Sequence, residues 1–94
     1  MQWPFLFSME CFLYIIYSPL TDRYYIGVSN DVDKRLHRHN QGTSKSTKAG
    51  APQWTLKHKE TFPSRSLAMK REAFLKRMKS RVFIENIINQ RQDD

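Results

Sequence analysis

Glu72 is the only acidic residue between Leu67 and Ile84. Ala68 lies four residues before it and Leu75 three after, so helical spacing puts a carboxylate beside an apolar row and among cations. Such a group can pair with Lys76 at i+4, a surface contact worth only about 0.3–0.5 kcal/mol. It can also ligate a hard divalent cation, because Mg²⁺ takes oxygen donors and commonly uses one or two carboxylates with substrate phosphate and water. Spacing does not separate these two uses. Tyr14 and Tyr25 stand eleven residues apart, and a hairpin turning near Leu20 brings both hydroxyls to one face. A phenol facing a phosphate donates a hydrogen bond or, where nearby cations lower its pKa, accepts a proton from water. The ordinary use of a strand tyrosine is packing, which suits Tyr17 and Tyr24 on the opposite face. Arg35 and His39 are one helical turn apart with Arg38 beside them, a planar fork for phosphate oxygens and an imidazole that reaches the same anion or its water. His37 and His39 diverge on a helix and make a poor zinc pair. The single cysteine, Cys11, allows neither an intramolecular disulfide nor a cysteine-built zinc site.

These side chains need elements to hold them. Cys11 to Tyr17 is apolar on both alternating faces, the pattern of a central strand. Pro19 and Asp22 turn the chain into a second, antiparallel strand over 23–29. Asn30 or Asp31 caps a helix through Val32, Leu36 and His39, with acids at its start where the dipole favours them. Residues 40–52 read as a loop. Residues 53–62 alternate Trp54, Leu56, His58 and Glu60 against Thr55, Lys57, Lys59 and Thr61, an edge strand with one wet face. Ser64 or Ser66 caps a helix whose broad apolar face holds Leu67, Ala68, Phe74, Leu75 and Met78. After a break at 79–81, Phe83, Ile84, Ile87 and Ile88 form a last amphipathic stripe. The order is β-β-α-β-α-α, an α+β fold.

The chain of 94 residues carries 16 Lys or Arg against nine Asp or Glu. A chain this short buries roughly 60–70% of its unfolded surface, one core's worth, so any site lies on an open face. The charge is uneven: 14 of the basic residues fall between Lys34 and Arg81 with only Glu60 and Glu72 as acids, a local excess of 12. Such a belt attracts polyanions, and Lys and Arg contacts to phosphate supply most non-specific nucleic-acid affinity. Lys34, Arg38, Lys45, Lys48 and Lys76 are its candidate nucleic-acid contacts. Pro4, Glu10 and Pro19 interrupt the otherwise nearly uncharged start, and no basic residue precedes it, so no signal or membrane role is expected. Met9 is an alternative start, and a reducing, cytoplasmic setting suits the lone thiol. The expected organisation is an extension over 1–10, one domain over 11–90 and a tail over 91–94.

Phe12-Leu13-Tyr14, then Tyr25-Ile26-Gly27 with ten residues between the tyrosines, then Arg35, His39 and the helical Glu72, resemble the GIY-YIG nuclease superfamily. The run from Tyr24 to Asn40 looks most like its small single-domain bacterial members. Phe12-Leu13 stands where the family name has Gly-Ile, and small members tolerate this because the tyrosine carries the function. The resemblance implies a three-stranded antiparallel sheet flanked by helices and divalent-metal-dependent hydrolysis of one phosphodiester strand. It implies that Glu72 holds a single Mg²⁺ or Mn²⁺ and that Arg35 binds the scissile phosphate. Tyr14 and Tyr25 would line the site, one helping to deprotonate water, with His39 supporting them. Asn86 and Asn89 are both candidates for an asparagine that many members place in or after the last helices.

The leading expectation is a small endonuclease on DNA rather than RNA, low in sequence specificity or directed by branched, damaged or nicked structure, as in DNA repair or recombination. The alternative is a module of the same fold that binds nucleic acid without cutting it. A protein-interaction domain would need an exposed apolar stripe; Phe83, Ile84, Ile87 and Ile88 offer one to a partner or a homodimer, unless they pack in the core.

Overall fold

The structure, a computed structural model, describes residues 10–90. All of the expected extension over 1–10 except Glu10, with the alternative start at Met9, lies outside the described residues, as does the expected tail over 91–94. Strand β1 (Cys11–Ser18) lies between β2 (Arg23–Ser29) and β3 (Thr55–Phe62), antiparallel to both. Helix α1 (Val32–Asn40) follows β2, a short 3₁₀ turn (Lys48–Gly50) precedes β3, and α2 (Arg65–Met78) and α3 (Arg81–Gln90) close the chain. The fold is α+β in the expected order.

The two-sided apolar pattern of β1 reflects burial on both faces. Leu13 and Ile15 pack with Leu75, Ile84 and Ile88 of α2 and α3. Tyr14 and Ile16 pack on the other side with Val32 of α1 and Trp54. Both Leu13 and Ile15 are fully buried, each worth about 1.5–3 kcal/mol in removed apolar surface. The Phe83–Ile88 stripe is therefore used within the core, with Ile84 and Ile88 buried and Phe83 and Ile87 packed against the same cluster.

Local chemistry sets the element ends. Asp31 caps α1 by accepting from Lys34 N, and Ser64 caps α2 by accepting from Leu67 N, which settles both pairs of candidates. Asp22 takes a left-handed φ of 55° in the β1–β2 turn and accepts from Tyr17 Oη and Arg81. That ties the hairpin to the start of α3. Lys79, at φ 48°, separates α2 from α3.

Three details differ from expectation. Strand β3 starts at Thr55, not Gln53, because the Asn40 side chain pairs with the backbone of Trp54 on both sides: Trp54 N donates to Oδ1 and Nδ2 donates to Trp54 O. Strand β3 also carries a bulge. Ile15 faces His58 while Ile16 faces Leu56, so Lys57 is an extra residue. The bulge sends Leu56 to the Tyr14 side and His58 and Glu60 to the helical side, where simple alternation puts all three together. The apolar face of α2 is narrower than its sequence suggests: Ala68 and Leu75 are buried, but Leu67, Phe74 and Met78 stay 44%, 38% and 43% exposed.

Candidate active site on the Tyr14 face of the sheet

Register brings the two tyrosines together. Tyr14 pairs with Gly27 and Ile16 with Tyr25, so Tyr14 and Tyr25 point from adjacent strands to one face, ring centroids 6.4 Å apart. Tyr14 passes so close over Gly27 that any β-carbon there would overlap the phenol. Tyr17 and Tyr24 pair on the opposite face, 5.0 Å apart, half-buried rather than core, with hydroxyls bonded to Asp22 and Glu85.

Helix α1 lowers His39 onto this face. The Tyr14 hydroxyl lies 2.8 Å from His39 Nε2, and His39 Nδ1 lies 2.8 Å from Thr47 Oγ1, all buried. A neutral imidazole that donates from Nδ1 to Thr47 accepts the phenol proton at Nε2, the arrangement favoured because a phenol is the stronger donor. The Tyr25 ring meets His39 edge-on at 4.9 Å, and Trp54 closes the other side of Tyr25 at 6.4 Å. Trp54 Nε1 donates to Thr47 O, which fixes the loop that supplies Thr47. His37, by contrast, is exposed, so the two histidines do not converge.

Arg35 and Glu72 both act on Tyr14. Burial is the main cause that pushes the Tyr14 hydroxyl up to about 12; Tyr25 and Glu72 add to it, and the charge and hydrogen bonding of Arg35 only partly offset it. The expectation that nearby cations lower a tyrosine pKa here is thus reversed for Tyr14 in the protein alone, because α1 and Trp54 seal it from water. Burial also holds His39 below its ordinary value, with Arg35 and Arg38 repelling a second positive charge.

Glu72 pairs with Lys76, Nζ to Oε2 3.0 Å, and its side chain is 21% exposed. The ion pair expected from spacing forms, and it lies beside the tyrosines: Lys76 Nζ is 6.0 Å from the Tyr25 ring, and the Glu72 charge adds weakly to the rise in the Tyr14 pKa. Among the described residues no three His, Cys, Asp or Glu side chains cluster as a metal site. Glu72 is nevertheless a suitable single-carboxylate ligand for Mg²⁺ or Mn²⁺, which complete their shells with phosphate oxygens and water.

The candidate phosphate contacts divide by place. Lys34, Arg35 and Arg38 share a polar cleft of about 170 Å³ with Ser29, Asn30 and Asp31 at the start of α1. Lys45 and Lys48 are exposed on the loop that carries Thr47. Lys76 stands beside Glu72. Sequence reasoning missed Lys59, which sits opposite Tyr14 on β3 and over the Phe12 ring at 5.0 Å. It also missed Thr47, Trp54 and Asn40, whose side chains build the wall behind His39 and Tyr25. A buried histidine needs a partner for its second nitrogen, and that need is the one signal that pointed into the loop. Asn86 and Asn89 are exposed on α3 and make no hydrogen bond to Tyr14, Tyr25, Arg35, His39 or Glu72.

A family model described as the GIY-YIG catalytic domain matches residues 10–86, and the chain belongs to the GIY-YIG family. Among its relatives are UPF0213 proteins. It is 40% identical over 55 residues to one from Halobacterium salinarum, covering 58% of this chain and 71% of that protein. It is 35% identical over 54 residues to one from Vibrio campbellii, covering 57% of this chain and 52% of that protein, about half of its length. The solution NMR structure of a UPF0213 protein from Bacillus halodurans superposes with a TM-score of 0.56 at 30% identity, covering 87% of this chain and 85% of that one.

Proposed function

We propose that this chain is a divalent-cation-dependent endonuclease that hydrolyses phosphodiester bonds in DNA, low in sequence specificity or directed by substrate structure. One observation carries the reading: the buried Tyr14 hydroxyl is held 2.8 Å from His39 Nε2, where the charges of Arg35 on α1 and, more weakly, Glu72 on α2 also act on it. A site that only binds phosphate has no use for a carboxylate beside it, because a carboxylate repels the anion.

Arg35, in a cationic cleft, neutralises the non-bridging oxygens of the scissile phosphate as negative charge grows on them. Water attacks phosphorus and the bond from phosphorus to the leaving oxygen breaks; the water's proton moves to the Tyr14 oxygen as the Tyr14 proton passes to His39 Nε2, a transfer that requires the buried Tyr14 hydroxyl to open to the water when substrate binds. His39 is ready to accept because its lowered pKa keeps it neutral near pH 7. Thr47 holds the imidazole in place at Nδ1. Tyr25 walls the site against His39 and Trp54. Glu72 would hold a divalent cation, which when bound would supply Lewis-acid stabilisation of charge on the leaving oxygen. Lys34, Arg38, Lys45, Lys48 and Lys76 position the backbone without reading sequence.

Incubation with supercoiled plasmid, with and without Mg²⁺ or Mn²⁺, separates this reading from the non-cleaving module. Nicking that needs the cation supports the enzyme; retention of the plasmid without nicking supports the binder. Among the described residues no helix is long and apolar enough to cross a membrane.

A further inference from the structure

We infer that a groove between the open edge of β2 and the α2–α3 junction receives an unpaired nucleotide of the nucleic acid, beside the reacting site. The inference rests on the nucleic-acid part of the proposed function and not on cleavage. The groove encloses about 450 Å³. Its floor is apolar, formed by Ile26, Leu75 and Ile84, with the Tyr24 ring beside them under the Arg81 guanidinium, 5.3 Å from its centroid. Its rim carries four exposed cations, Arg23, Lys76, Lys79 and Arg81, and one acid, Asp22. The acid is already engaged by Arg81, and Lys76 by Glu72, while Arg23 and Lys79 have no ion-pair partner among the described residues.

An occupant that complements this surface has a flat apolar body and a negative charge beside it. A base with its own phosphate meets both demands; a paired base does not, because its faces are stacked within the duplex. The groove is continuous with the site through Lys76, which lines it, bonds Glu72 and stands over the edge of the Tyr25 region. A strand that crosses Tyr25 and Glu72 thus meets the groove next. Lys79 occupies a left-handed backbone position, φ 48°, where glycine is the unstrained choice.

Lys79 also makes the test clean, since Lys79→Gly removes the charge and relieves the backbone. The double variant Arg23→Ser with Lys79→Gly is compared with wild type by fluorescence anisotropy in EDTA. The probes are a blunt DNA duplex and the same duplex with a short single-stranded extension. Wild type is expected to bind the extended duplex about 5- to 150-fold more tightly, the range for stacking one base. The double variant is expected to lose that preference to within about twofold while its thermal midpoint holds. A variant with the same charge change on the loop, Lys45→Ser with Lys48→Ser, should weaken both probes alike and keep the preference. Equal binding of both duplexes by wild type, or a preference that survives in the groove variant, overturns the inference. A protein that never nicks plasmid yet shows the groove-dependent preference leaves the inference standing and removes only the nuclease reading.

Discussion

Gly27 lies directly opposite Tyr14 in the β1–β2 pairing, and the phenol occupies the space a side chain at Gly27 would fill. The glycine is needed for close approach, not for an unusual φ, and it is what lets the Tyr14 hydroxyl reach His39. Gly27→Ala should therefore displace the ring. The expected result is a loss of about 1–3 kcal/mol in urea unfolding from overpacking. Nicking should fall by roughly a hundredfold, the scale of an ångström's misplacement in a reacting site. DNA affinity should change little, because the cationic contacts lie on other elements.

His39 links the site to pH. Burial, with Arg35 and Arg38, holds its pKa below the ordinary 6.5, so the folded protein disfavours the proton that the unfolded chain takes up. The stability this contributes is present above the unfolded pKa and is lost as pH falls through the folded one. Between pH 7 and 5 the urea midpoint of wild type should drop more than that of His39→Gln. The nicking rate of wild type should fall over the same acid range as the imidazole protonates and ceases to accept from Tyr14.

Thr47 is a positioning residue in this account. Thr47→Val keeps the shape but leaves His39 Nδ1 buried and unpaired, which should cost about 1–3 kcal/mol. Turnover is expected to fall by about tenfold or more without a change in KM, and Thr47→Ser, which restores the hydroxyl, should recover most of it. A merely structural role would not be rescued in rate by the hydroxyl alone.

On the proposed function, Arg35 should separate catalysis from binding. As one cation among many, its loss in Arg35→Ala should reduce the log–log salt slope of DNA binding by only about one. Turnover should fall by roughly two to three orders of magnitude, as for a preorganised donor at the developing charge. Arg35→Lys keeps the charge and loses the fork, so it should recover binding and little of the rate. Equal losses in affinity and turnover for the alanine variant would make Arg35 an ordinary phosphate contact.

Much of this was legible before the structure, for local reasons. A strand apolar on both faces has to be central, the pairs Asn30/Asp31 and Ser64/Ser66 mark where helices start though not which residue caps them, and two tyrosines flanking a Pro-Leu-Thr-Asp turn fall on one face of a hairpin by strand periodicity alone. The parts that were not legible depend on distant contacts. Nothing local marks Lys57 as a bulge, because the extra residue is defined only by its partners on β1. Thr47 sits in a stretch rich in Gly, Ser, Thr and Lys that reads as plain loop, and Trp54 reads as the start of an edge strand. Their roles arise when Asn40 at the end of α1 grips the backbone of Trp54. The raised pKa of Tyr14 is a tertiary property too, since the sequence displays the nearby cations but not the depth at which the phenol is buried.

On the proposed function, Glu72 makes the site a cation-dependent nuclease and not a binding surface. The direct measurement is plasmid nicking by wild type and Glu72→Gln across a titration of Mg²⁺ or Mn²⁺, with DNA binding of both proteins followed in EDTA. Wild type should nick only with the cation, and Glu72→Gln should be slower by roughly two to three orders of magnitude while binding DNA at least as tightly, having lost a negative charge from a basic surface. Nicking by wild type in EDTA, or full activity of Glu72→Gln, would contradict the account.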